Sequence, residues 1–120
     1  MNKLGINDFH YYQNTYERSG KTYQVTDLIK LAKGLEPFDM PIAGIDIGVQ
    51  PWGTMDLKGF CYHVQRMSKA DISYPVILDD VGFICDGWHR LAKAIIEGKY
   101  TIKAVRLTVM PEPINSEGKQ

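Results

Sequence analysis

Two short apolar runs, Tyr74-Pro75-Val76-Ile77-Leu78 and Phe83-Ile84-Cys85, stand four residues apart across Asp79-Asp80-Val81-Gly82. So short a connection forces two strands to pair antiparallel, and aspartates followed by glycine are ordinary turn chemistry. Asp86-Gly87 comes next, then a segment from Trp88 to Glu97 in which Leu91, Ala94 and Ile95 recur at helical spacing before Gly98 closes it. Thr101 to Val109 is rich in β-branched residues and reads as another strand. Strand, turn, strand, helix and strand in close succession predict a sheet with a helix packed on it.

The rest of the chain is less constrained. At 120 residues it has room for one domain. Residues 1–20 read as an aromatic arm that packs tyrosines, among them Tyr11, Tyr12 and Tyr16, on a body spanning 21–110. Gln24 to Gly34 reads as a helix, with Thr26 as cap, Asp27 at the positive end, Leu28, Leu31 and Ala32 on one face, and Gly34 as stop. Pro41 to Ile47 reads as extended, and Gly48 to Gly53 as a loop holding Pro51 and Trp52. A second helix is expected from Thr54 to about Ala70, with Leu57, Phe60, Cys61, Val64 and Met67 facing the core and Arg66 and Lys69 at its negative end. Residues 111–120 read as a flexible tail. No internal repeat is present. The fold class expected is α/β (α+β), a small mixed sheet with flanking helices.

Fourteen basic residues balance fourteen acidic ones, so the surface offers nucleic acid no general attraction. No stretch has the apolar length of a spanning helix or a signal peptide. Two cysteines, Cys61 and Cys85, suit a reducing compartment better than a disulfide framework. Cytoplasm is the expected location, with no membrane partner.

The chemistry concentrates at Asp86-Gly87-Trp88-His89-Arg90. Gly87 permits a sharp turn and close approach of a ligand. The first amides of the helix after it lack intrahelical acceptors and carry the positive end of the helix dipole, which together make an anion site. His89 and Arg90 add a titratable donor and a forked cation at an end where cations are otherwise disfavoured. A bound anion would reverse that penalty. A purely structural account fits the same residues: Asp86 caps the helix, Gly87 makes the turn, Arg90 pairs with Asp79 or Asp80, and His89 donates to a carbonyl.

Residues 75–107, Pro-Val-Ile-Leu-Asp-Asp-Val-Gly-Phe-Ile-Cys-Asp-Gly-Trp-His-Arg-Leu-Ala-Lys-Ala-Ile-Ile-Glu-Gly-Lys-Tyr-Thr-Ile-Lys-Ala-Val-Arg-Leu, resemble the ParB/sulfiredoxin-like superfamily, with a looser likeness over Met40–Asp46. The closest look is to small stand-alone ParB-like proteins of bacteria and phages. The resemblance implies a nucleotide-binding domain, a possible NTP hydrolase or phosphotransferase, with ATP, ADP or CTP held beside Mg²⁺. Gly87, the Trp88 backbone, His89 and Arg90 would cradle the phosphates, and Asp86 and His89 would be the catalytic pair, Asp86 also being the one candidate magnesium ligand. Alternatives are a non-catalytic sensor of nucleotides or other phosphorylated small molecules, and a ParB-like nuclease. Departures narrow the field. Trp88 stands where sulfiredoxins carry their cysteine, and Cys85 lies on a strand three residues earlier. No helix-turn-helix reader follows within these residues, which argues against DNA as partner. Gln50-Pro51-Trp52 lacks the arginine of the ParB Gln-Pro-Arg contact. For a kinase-type carboxylate, Asp46 and Asp56 are the nearest candidates.

Other groupings carry less. Asp79, Asp80 and Asp86 could gather on a metal, although hairpin-turn chemistry explains the first two. Cys61, His63, Cys85 and His89 match no zinc spacing. Trp88 can stack on a base or cover the helix start. Trp52, Tyr11 and Tyr12 can form a pocket wall or pack as an arm. His63 reads as a surface or internally satisfied histidine.

Overall fold

A computed structural model gives the fold and describes residues 15–114. The chain is α+β. Strands β1 (Thr15–Arg18) and β2 (Lys21–Gln24) form a hairpin that leads into helix α1 (Val25–Ala32). Strand β3 (Phe38–Pro41) is followed by a 3-10 turn over Ile42–Gly44 and, after a loop, by helix α2 (Leu57–Lys69). Strands β4 (Val76–Leu78) and β5 (Ile84–Asp86), helix α3 (Trp88–Ile96) and strand β6 (Thr101–Arg106) complete it. Tyr11, Tyr12 and the last six positions of the expected tail lie outside the described residues. No described helix is long and apolar enough to cross a membrane.

The four-stranded sheet runs β3-β6-β4-β5. β4 and β5 pair antiparallel, as the short turn requires, and α3 then carries the chain back so that β6 lies parallel to β4. β3 adds antiparallel to the other edge of β6. Each strand sends alternate side chains to opposite faces, so the central strands feed two cores. Val76, Leu78, Ile102 and Ala104 meet Leu91 and Ala94 of α3 on one face. Ile77, Cys85, Val105 and Leu107 meet Leu28 of α1 and Tyr23 of β2 on the other. Burial on both faces explains why β4 is an unbroken apolar run rather than an alternating one.

Several local expectations shift. α1 begins at Val25, with Gln24 at its cap position making no side-chain bond, so Thr26 lies inside the first turn and does not cap. Leu28 is buried, but Leu31 is exposed. The segment from Pro41 is strand only through that residue, and β6 ends at Arg106. α2 is capped by Asp56, whose carboxylate accepts from the Gly59 N–H at 2.8 Å, rather than opened by Thr54.

The largest correction concerns the face of α2. Leu57, Phe60, Cys61 and Val64 point to solvent, Leu57 being 76% exposed, while Gly59, Tyr62 and His63 are buried. Both sets have helical spacing. The side that packs is the one where Gly59 allows close approach and the His63 ring finds a polar partner, so apolar periodicity selected the wrong stripe. In α3, Ile95 is likewise partly exposed where burial was expected. The tail begins in contact with the body, since the Ile114 N–H donates to the Thr22 carbonyl at 2.8 Å.

Candidate functional site

The corner between β5 and α3 starts with a bulge. Leu78 pairs with Ile84 but Ile77 pairs with Asp86, leaving Cys85 as an extra residue on β5. The Cys85 thiol donates to the Ile77 carbonyl at 3.4 Å. Burial is the main cause that pushes this thiol up to about 12, followed by the charges of Asp79 and Asp86. Such a thiol is a packed structural group, not a nucleophile.

Gly87 follows in the left-handed conformation, φ 109°. A Cβ at this position would lie 2.7 Å from Val76 Cγ1. Glycine is therefore required twice, by the turn and by the packing of the corner on β4. The turn delivers the first residues of α3, Trp88 and His89, with the first intrahelical bond running from the Leu91 N–H to the Gly87 carbonyl. Trp88 packs its ring against the core on the α3 side of the sheet, so only its backbone belongs to the corner.

Arg90 is committed to structure. Its Nη1 donates to the Pro75 carbonyl at 2.7 Å and its Nη2 to Asp86 Oδ2 at 2.9 Å. The expected structural partner was Asp79 or Asp80; the actual one is Asp86, four residues back across the turn. Asp79 and Asp80 instead hold Arg18 of β1, at 3.0 and 2.6 Å. Asp79 also accepts from Tyr16 Oη and from the N–H groups of Val81 and Phe83. Burial would raise the Asp79 pKa, but these donors outweigh it and hold the carboxyl below its usual range. The three aspartates thus serve two separate jobs, and among the described residues no three His, Cys, Asp or Glu side chains converge as metal ligands.

His89 and His63 come together. His63 Nδ1 and His89 Nε2 are 2.7 Å apart, so one nitrogen donates and the other accepts. Trp52, from the loop before α2, stacks on both rings, with centroids 4.2 Å from His63 and 4.6 Å from His89. Burial, helped by the positive charges of Arg66, a charged His63 and Arg90, pushes His89 down to about 4. Burial and then Arg66 lower His63 as well. Both rings are neutral near pH 7. The sequence brings His63 and His89 together only in a zinc-type grouping that fits no spacing, and Trp52 not at all; their joining depends on α2 turning its His63 side inward.

In front of this pair opens a polar cleft of about 300 Å³. Asp86, Gly87, His89 and Arg90 line one side, and Arg66, Lys69 and Ala70 from the end of α2, with Asp71 and Tyr74 just after it, line the other. A helix carboxyl end should repel anions. Here Lys93 of α3 donates to the Ser68 and Ala70 carbonyls, at 3.2 and 2.7 Å, and screens that end. Asp71 is tied to Ser73 through two bonds, which lower its pKa. Asp86 is neutralised by Arg90. Among the lining charges, Arg66 and Lys69 make no ion pair with a described residue, although Arg66 donates to Tyr62 Oη at 2.7 Å.

No family model, curated protein or solved structure matches this chain.

The site therefore rests on its own geometry. Of the residues expected from sequence, Asp86, Gly87, His89 and Arg90 share the cleft and the Trp88 side chain leaves it. Asp46 accepts from the Gly48 N–H in an exposed loop and Asp56 caps α2, so neither is among the cleft's lining residues. The sequence pattern ties Arg66 and Lys69 only to the helix dipole; nothing local in the sequence marks a residue at the end of one helix as the opposite wall of another helix's amino end.

Proposed function

We propose that the cleft binds the phosphate groups of a mononucleotide or similar phosphorylated small molecule. What carries this reading is the joining of two sources of positive potential across one cleft: the amino end of α3, presented by Gly87, and the Arg66 and Lys69 side chains of α2. At about 300 Å³ the cleft has the size of a small-ligand pocket rather than a polynucleotide groove. Phosphates would sit against Gly87, the Trp88 and His89 amides, Arg66 and Lys69, with exposed Tyr74 at the rim as a face for the rest of the ligand. The likeness of residues 75–107 to the ParB/sulfiredoxin-like superfamily supports the same assignment.

A hydrolase or phosphotransferase needs a proton acceptor near the phosphates. His89, neutral at pH 7 and lining the cleft, fills that role, and Asp86 is held by Arg90 as a fixed counter-charge. Magnesium fits this site only as a companion of the ligand's phosphates, with Asp86 the one carboxylate on the corner able to meet it; no separate metal cage is formed by the described residues. A second reading, binding without turnover, is favoured by the Asp86–Arg90 bridge, which occupies both charged groups that would otherwise act on substrate.

A thermal-shift series with nucleoside mono-, di- and triphosphates, with and without magnesium, tests the binding claim. Wild type should be stabilised in a phosphate-dependent way, and Arg66→Ala/Lys69→Ala should lose most of the response. Equal responses, or none in wild type, would overturn it. Phosphate release over many turnovers separates the enzyme from the binding protein.

A further inference from the structure

We propose that His63 and His89 act as one proton-accepting pair for the cleft, His63 serving as the positioning residue, so that anion binding and proton uptake favour each other. This rests on the phosphate-binding reading above.

The geometry makes the two rings a unit. They lie side by side, 2.7 Å apart between Nδ1 and Nε2, under one indole that stacks on both at interplanar angles of 15° and 18°. With both rings neutral, a single hydrogen occupies the bond and couples the two tautomers, the accepting ring carrying its own hydrogen on its other nitrogen. One added proton gives an imidazole–imidazolium bridge whose charge both rings share, so the pair has one uptake step rather than two independent ones. His63 is buried at 4% exposure and behind His89. His89 lines the cleft. Protons therefore reach the pair through His89, and His63 acts by fixing the ring that meets the ligand.

The charged neighbours explain the link to anions. From α2 the pair faces Arg66, with Lys69 farther along the same wall; from α3 it faces Arg90. Asp86 of β5 is spent on Arg90 and Asp71 on Ser73. The cleft is thus net positive beside a buried histidine pair, which opposes protonation. An anion seated between Arg66 and His89 removes that opposition, while the face of Trp52 favours the imidazolium it covers. By reciprocity, a proton on the pair must then strengthen anion binding by the same factor.

Sulfate is the suitable probe, because unlike phosphate it does not itself titrate in the working range. Ring-nitrogen NMR on histidine-labelled protein from pH 3.5 to 8, with sodium sulfate or with sodium chloride at equal ionic strength, reads the pair directly. We expect His63 and His89 to shift together with one midpoint below that of an ordinary histidine, and sulfate to raise this midpoint by about one unit, an affinity gain of about tenfold for the protonated pair. His63→Gln should leave His89 titrating alone with a smaller sulfate response. Separate midpoints in wild type, needing no variant, would overturn the proposal. So would a shared midpoint that sulfate leaves in place while the Gly87 and His89 amides report sulfate binding; in that case the phosphate-binding reading survives. Amides that do not respond to sulfate at all would sink both.

Discussion

Gly87 sits so close to Val76 that any β-carbon at position 87 would lie 2.7 Å from Val76 Cγ1 and 3.0 Å from its Cα. The contact joins the two ideas in the corner: the positive φ that turns the chain into α3, and the seating of the turn on the middle of the sheet. Gly87→Ala should cost about 3 kcal/mol, combining left-handed strain with overpacking. Chemical denaturation checks this. Val76→Ala in the same chain should recover part of the loss, so the double variant should be less destabilised than the sum of the two single ones.

Asp79 is fully buried and takes bonds from Tyr16, Arg18 and two backbone N–H groups. Asp79→Ala leaves all these donors short of an acceptor and should lower stability by about 3 kcal/mol or more. Lys103–Asp39 is the contrast, an exposed pair at 2.7 Å. Lys103→Ala should change stability by less than about 0.5 kcal/mol. Denaturant midpoints for both variants test the difference between a buried node and a surface pair.

The histidine pair makes stability depend on pH in a definite window. His89 is pushed down to about 4 in the folded chain, against about 6.5 when unfolded. Between those values the unfolded chain binds the proton and the folded chain does not, so the His89 contribution is full above about pH 6.5 and is lost as pH drops toward 4. Allowing for partial exposure, the loss should be about 2 kcal/mol. His63 adds in the same direction. Asp79, held below its usual range, loses its contribution only at lower pH. Denaturation from pH 4 to 7 should show the slope in wild type and a shallower one in His89→Gln.

Leu57 tests the face of α2. Apolar periodicity places it in the core, but it is 76% exposed. Leu57→Lys should shift the denaturation midpoint by no more than about 0.5 kcal/mol equivalent; a loss of about 3 kcal/mol would mean that the apolar stripe is packed.

What could be read from the chain followed the strength of local chemistry. The β4–β5 hairpin, α3 and β6 were legible because turn length, glycine placement and β-branched runs all agree there. The glycine turn and the placing of His89 at its helix start were legible for the same reason. The partner of Arg90 was not, because Asp86 competes with Asp79 and Asp80 only through three-dimensional distance. α2 was located but rotated, since its buried side is built from a glycine, a tyrosine and a histidine, which no hydropathy count favours. The opposite wall of the cleft, Arg66 and Lys69, depends on how two helices cross, and the bulge at Cys85 depends on strand register; neither is a local property.

Arg90→Ala removes bonds to Pro75 and Asp86, so a binding defect in that variant would mix lost structure with lost contact. The direct test reads the helix start itself. In a titration of ¹⁵N-labelled wild type with ADP, followed by amide NMR, the Gly87, Trp88 and His89 amides should move most and saturate together with the Arg66 side-chain signals, and in Arg66→Ala/Lys69→Ala saturation should need at least about tenfold more ligand. Shifts centred elsewhere in the chain, or amides of 87–89 unmoved at millimolar ADP, would contradict the phosphate site.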